Sequence, residues 1–292
     1  MADESIHIES MPDLNPSILV AGFSGWGNAM DVSTGTVQYL VKRLHAAPFA
    51  SIEGDPFYRY DESRPVVHIE HGLLKHVSVP GGTFYAVRLE NSAADLVLLD
   101  AMEPHLCWHR FVDSLFSLAE RLDVHTVISL GSMYDQVLHT DRIVSCIAGS
   151  EALLQRLEQE EVYPISYQGP SSVHSLVHAE GERRKIQCLS LWAHCPYYIQ
   201  GAMHYGILSR VAGLLAAIGD FPLDTMDLEE KWRQLDLQIQ EMIETNPKLE
   251  TLIARLKKSK TRGGFRPVDA PVEPGSAGGK VIDLRDFLDP KP

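Results

Sequence analysis

The sequence predicts an α/β protein, a three-layer sandwich around a mostly parallel sheet, with a helical hairpin near the C-terminus. Three observations carry this reading. Unbroken apolar runs alternate with segments of helical period, two of those runs enclose a helix of the length a βαβ unit needs, and from Leu228 the apolar spacing becomes heptad-like.

Ser17-Ile18-Leu19-Val20-Ala21-Gly22 is an apolar run that reads as a strand buried on both faces. A glycine-rich turn follows, and from Asn28 a helix carries Val32, Val37, Leu40, Val41 and Leu44. Between Phe49 and Leu89 the pattern changes to short β-rich pieces, Val66–Glu70 and Thr83–Arg88, separated by turns such as Pro80-Gly81-Gly82. An antiparallel insertion or sheet edge is expected there. Leu96–Leu99 is a second buried strand, Phe111, Leu115, Leu118 and Leu122 mark one face of a helix after Pro104, and Val124–Leu130 is a third strand. Two strands joined this way are parallel, with a right-handed crossover. Glu151–Glu161 reads as a helix, Ile186–Trp192 as a strand and Ile199–Ile218 as a long apolar helix.

In the last third, Leu228, Trp232, Leu235, Ile239, Met242, Asn246, Leu249, Ile253 and Leu256 follow alternating steps of four and three. Asp227 with Glu230 resembles a capping box, and Asn246-Pro247 places a good N-cap before a proline at the first helical position, so two helices broken at Asn246 are expected. Thr261–Lys280 is too rich in Gly, Pro, Ser and charge to order by itself, whereas Val281–Leu288 is a short apolar-acidic stretch fit for docking. The expected organisation is a main α/β domain over 1–222, a helical hairpin over 223–260 and a tail over 261–292.

Composition narrows the function. Of 292 residues, 45% are hydrophobic, so a sizeable core is available. A formal net charge of -13 repels a phosphate backbone, and the basic residues cluster only at Lys257, Lys258, Lys260 and Arg262, which disfavours nucleic acid as a partner. Met1–Ser10 lacks the basic flank and apolar stretch of a signal peptide, and no apolar run approaches a membrane span, so a cytoplasmic protein without a membrane partner is expected. The cysteines Cys107, Cys146, Cys188 and Cys195 form no CxxC pair and read as reduced, buried thiols.

The chemical candidates sit where strands end. Gly22-Phe23-Ser24-Gly25-Trp26-Gly27-Asn28 joins a strand to a helix, a place where backbone N–H groups and the helix dipole can hold an anion. It matches neither a dinucleotide fingerprint, a P-loop nor a nucleophile elbow, and no cofactor is implied. Glu103-Pro104 and His139-Thr140 each follow a strand, at the carboxyl edge of a parallel sheet where open α/β folds bind ligands. A carboxylate and an imidazole there suit acid/base work, while helix capping by Glu103 and a structural hydrogen bond at His139 are the plainer roles. His105 with His109, and His174 with His178, have the spacing of paired zinc ligands but lack the HExxH glutamate, and no metal is assigned.

The ordered set Gly22–Ala29, Arg64-Pro65, Glu103-Pro104 with Trp108 and Phe111, Leu130-Gly131, His139-Thr140, Tyr167–Pro170, Ser190–His194 and Pro196–Tyr198 resembles the proteasome assembly chaperone 2 family and its prokaryotic relatives, over roughly residues 15–258. The resemblance implies a phosphorylase/hydrolase-like α/β sandwich, self-association, and a chaperone role in building the proteasome α ring among the eukaryotic members. It brings no catalytic residue. The family's Pro-His-Thr-Arg appears here as Leu138-His139-Thr140-Asp141-Arg142, and its Gly-Pro-Thr-Gly loop as Gly169-Pro170-Ser171-Ser172. The chain ends Asp289-Pro290-Lys291-Pro292, so proteasome binding through a hydrophobic-Tyr-any tail is not expected.

The reading is therefore a non-catalytic, homo-oligomeric binding or assembly protein, with itself as partner and possible protein contacts through the 228–256 helices or the 281–288 segment. The alternative is an enzyme or small-anion or nucleotide-binding protein. It would use a pocket of Gly25, Trp26, Gly27, Asn28, Glu103, His139 and Thr140, with Glu103 and His139 as catalytic candidates.

Overall fold

The computed structural model describes residues 5–263 apart from 91 and 93, together with 282 and 283. The strands β1 (Ile6–Ile8), β2 (Ser17–Ser24), β3 (Ala47–Ile52), β6 (Gly82–Val87), β7 (Asp95–Met102), β8 (Val124–Asp135), β9 (Val144–Ala148), β10 (Tyr163–Pro164) and β11 (Gln187–Pro196) make a nine-stranded, mixed and mostly parallel sheet in the order β1-β3-β6-β7-β2-β8-β11-β9-β10. The helices are α1 (Val32–Arg43), α2 (Trp108–Arg121), α3 (Glu151–Gln159), α4 (His174–Arg184), α5 (Tyr205–Gly219), α6 (Met226–Thr245) and α7 (Pro247–Gly263). This is the α/β architecture the alternating pattern predicts. The chain divides into two compact units, Met1–Trp26 with Val37–Ser129 and Ser171–Leu189, and Gly27–Thr36 with Leu130–Pro170 and Ser190–Pro292.

In the first unit β2 and β7 pair in parallel from Ser17↔Asp95 to Ser24↔Met102. Nearly every residue of both strands is buried, as an apolar run without polar alternation requires. Asp95, buried at the start of β7, accepts N–H bonds from Asn15 (2.7 Å) and Leu89 (2.9 Å), which offset its lost hydration. From β7 outward the sheet turns antiparallel through β6, β3 and β1, the edge anticipated between Phe49 and Leu89. Helix α2 buries Phe111, Leu115, Phe116 and Leu118, each contributing roughly 1.5–3 kcal/mol by leaving water. Helix α4 packs on α2, and Arg184 of α4 bridges to Glu180 (2.5 Å), Asp113 (2.5 Å) and Glu120 (3.0 Å). Two further strands, β4 (Val66–Glu70) and β5 (Leu73–Ser78), form a separate two-stranded hairpin.

In the second unit Gly131 lets β8 pass close to Trp192, whose ring atoms lie 2.6–2.8 Å from where a Cβ would stand. Helix α6 packs on α5 and on α7. Its Leu228, Trp232, Leu235, Ile239 and Ile243, with Leu249, Ile253 and Leu256 of α7, are all buried within the chain. The heptad-like seam is thus consumed by packing inside the chain. Gly206 admits the Trp232 ring to within 2.9 Å of a Cβ position, and Arg142 clamps Glu229 of α6 through two bonds of 2.6 and 2.7 Å. Asn246 separates α6 from α7 and its Oδ1 accepts from Lys248 N (3.2 Å), so the break falls where Asn-Pro predicts it. The helix expected from Ile199 starts instead at Tyr205, because Ile199–Gln200 is a strand, β12, that pairs in parallel with β13 (Ile282–Asp283). The rest of the 281–288 segment lies outside the described residues.

Candidate functional site

The first unit holds one end of the strand-to-helix turn. β2 ends at Ser24, and Gly25 takes a φ of 120°, a conformation side chains resist. A Cβ there would lie 3.3 Å from that of Glu103, so glycine also permits a close approach. Trp26 projects outward with 56% of its surface exposed. Glu103 accepts an N–H bond from Val173 (2.8 Å), the residue just before α4, and another from Trp26. The carboxylate therefore caps the N-terminus of α4, its plainer role. Burial raises its pKa and those two N–H bonds oppose the rise.

In the second unit Gly27 accepts from Ser132 N (2.8 Å), and Asn28 caps α1, its Oδ1 accepting from Ser33 N (3.0 Å) and Thr34 N (3.3 Å). Met30 and Asp31 that follow hold φ of 51° and 54°, a strained pair for residues with side chains. His139 is 2% exposed. Its Nδ1 lies 2.7 Å from the Tyr198 hydroxyl, and its Nε2 lies 3.0 Å from the Gln240 amide and 3.5 Å from Asp236, both on α6. Burial lowers its pKa and the Asp236 charge opposes this. Thr140 beside it is exposed. Glu103 and His139, paired in the sequence reading as acid/base candidates, fall in different units, each with its own partners.

A constellation that spacing could not reveal also lies in the second unit. His194 Nδ1 sits 2.8 Å from Asp135 Oδ2, and its Nε2 sits 2.8 Å from Ser145 Oγ. These are the links of a Ser-His-Asp triad, with the carboxylate at one ring nitrogen and the hydroxyl at the other. Access decides its role. Ser145, His194 and Asp135 are 0%, 1% and 2% exposed, so no acyl group reaches the serine, and the network ties together β8, β9 and β11. An open pocket of about 490 Å³ in the same unit is lined by Gly201, Met203, Tyr205, Lys231 and Gln234 among others, and Lys231 Nζ stands 5.4 Å above the Tyr205 ring.

Of the two histidine pairs, one shares a helix. His105 precedes α2 and its Nδ1 accepts from Arg59 N (3.0 Å), while His109 is within the helix. His174 and His178 share α4, with His174 buried edge-on to Phe23 at 5.5 Å. Cys107 is exposed, against the expectation of four buried thiols, because it lies at the turn that starts α2. No helix of the described residues is long and apolar enough to cross a membrane.

The model of the PAC2 family matches residues 19–243. Among solved structures the chain is similar to a PAC2 family protein from Streptomyces avermitilis MA, with TM-score 0.72, 23% identity, and coverage of 81% of this chain and 99% of that one. It is similar to a proteasome-assembly chaperone homologue from Mycobacterium tuberculosis, with TM-score 0.73, 24% identity, and coverage of 81% and 99%. It is also similar to an archaeal proteasome activator from Pyrococcus furiosus, with TM-score 0.64, 15% identity, and coverage of 82% and 98%. None of the curated proteins compared matches it.

Proposed function

Because the chain belongs to the PAC2 family, we propose that it is a cytoplasmic, homo-oligomeric binding protein with a chaperone-like role in assembling other proteins, and that it catalyses no reaction of its own. The family match over residues 19–243 carries this reading, since it spans residues of both units. It gains support from the shared fold of a proteasome-assembly chaperone homologue and an archaeal proteasome activator. The burial of His139 beside Tyr198 and Gln240 supports it too, because acid/base work needs an imidazole within hydrogen-bond reach of a substrate. In this reading the exposed Trp26 is a contact residue, of the type that dominates interface energetics.

The test is capture of full-length protein with its partners from native lysate, wild type beside Trp26→Ala, with intact mass spectrometry of the purified chain. A specific protein partner, weakened on the order of tenfold by Trp26→Ala, is the expected result. A stoichiometric small molecule bound without any protein partner overturns the proposal and moves attention to the Gly25–Asn28 turn.

A further inference from the structure

The β4–β5 hairpin is built for a face it lacks. His71 and Gly72 turn it with φ of 50° and 78°, the left-handed pair of a two-residue hairpin turn. The register Val67↔Val77, His68↔His76 and Ile69↔Leu74, with a bulge at Lys75, sorts its side chains between two faces. One face carries Val66, His68, Glu70, Leu73, His76 and Ser78, with His68 and Glu70 paired at 2.9 Å. The other carries Val67, Ile69, Leu74 and Val77 and runs on into Val79. An antiparallel sheet with this alternation normally lays its apolar face on a core. Here those five residues are 44–60% exposed, and every residue of both strands is exposed, so nothing among the described residues covers the face.

We propose that the apolar face of the β4–β5 hairpin packs against the same face of a second copy of this chain about a twofold axis. The inference rests on the reading of the protein as self-associating and names the surface that does it. From their fractional exposures the five residues present roughly 500 Å² on each copy, and so roughly 1,000 Å² in a facing pair. A standard interface takes about 800 Å² from each partner, and the largest apolar patch on an ordinary monomer is about 300–600 Å². Two such faces together reach the lower bound of a biological interface, about 1,000 Å² in total. It is also compatible with itself: the chain carries a net charge of -13, yet the five residues carry none, so two copies meet there without facing acids. A lone two-stranded hairpin is marginal in water, and stacking on a second one supplies the missing layer.

The test uses the full chain. Sedimentation velocity over a concentration series compares wild type with Ile69→Glu, Leu74→Glu and, as a control on the opposite face, Ser78→Glu. The first two are expected to weaken self-association on the order of 100-fold and the control by about twofold or less. Far-UV circular dichroism and thermal melts are expected to stay at wild-type values, because the substituted positions are exposed. A photo-crosslinker at Leu74 is expected to join hairpin to hairpin. If wild type associates and neither apolar-face variant changes that, or if the Leu74 crosslink goes only to another protein, the hairpin assignment is overturned while self-association stands. A wild type that stays monomeric throughout the series overturns both.

Discussion

Lowering the pH from 7.5 to 5.5 should destabilise the protein by about 2.7 kcal/mol through two histidines, His174 and His204. Burial pushes both down to about 3. The geometry at His204 agrees: its Nδ1 accepts the Ile207 N–H (3.2 Å), its Nε2 bonds the His139 carbonyl (2.9 Å), and its ring stacks on Trp232 at 4.3 Å, leaving no place for a second proton. In the unfolded chain each imidazole titrates near 6.5. As pH falls below that value the unfolded state takes up protons and the folded state does not, so stability present at neutral pH is lost, and the loss continues down to the folded pKa. Over the stated interval each group contributes about 1.4 kcal/mol, set by the unfolded pKa and the final pH. His139 and His178, also lowered by burial, act with the same sign. Glu103 and Asp100, raised by burial, act with the opposite sign, since their folded forms take up protons first. Single substitutions separate these effects. Urea unfolding at both pH values for wild type, His174→Phe and His204→Asn should show each variant losing about 1.4 kcal/mol less than wild type. In a biphasic melt the His174 share belongs to the transition of the first unit and the His204 share to that of the second. Equal pH losses in all three proteins would refute the argument.

Two further outcomes follow from packing. Gly131→Ala places a methyl 2.6–2.8 Å from three ring atoms of Trp192, itself only 9% exposed, and should cost about 1–3 kcal/mol, read as a lower melting temperature; an unchanged melt means β8 yields there at no cost. Titration of the native protein with a thiol reagent should modify Cys107 alone of the four cysteines, the others reacting only on unfolding, because burial pushes Cys146 up to about 11, Cys188 up to about 12 and Cys195 further still. Rapid native labelling of any second thiol would contradict their burial.

What could be read without coordinates was whatever a segment declares by itself. The unbroken apolar runs of β2 and β7 announce strands covered on both faces, the face of α2 announces its helix, and Asn246-Pro247 marks the break between α6 and α7. Val66–Glu70 is a strand by its composition alone. Short or weakly patterned elements such as β9, β10 and α4 carry too few periodic residues to declare themselves. Partnership is a different matter. Asp135 and His194 meet across 59 residues and Glu103 meets Val173 across 70, and no local spacing encodes a contact between distant parts of the chain. The same limit governs the apolar stripes. Periodicity says that Leu235 and Ile239 on α6, and Val67 and Ile69 two apart in Val66–Glu70, each form a face that avoids water. Only the tertiary structure decides that the chain covers the first pair itself and leaves the second exposed, because burial depends on which surfaces the rest of the fold brings within reach.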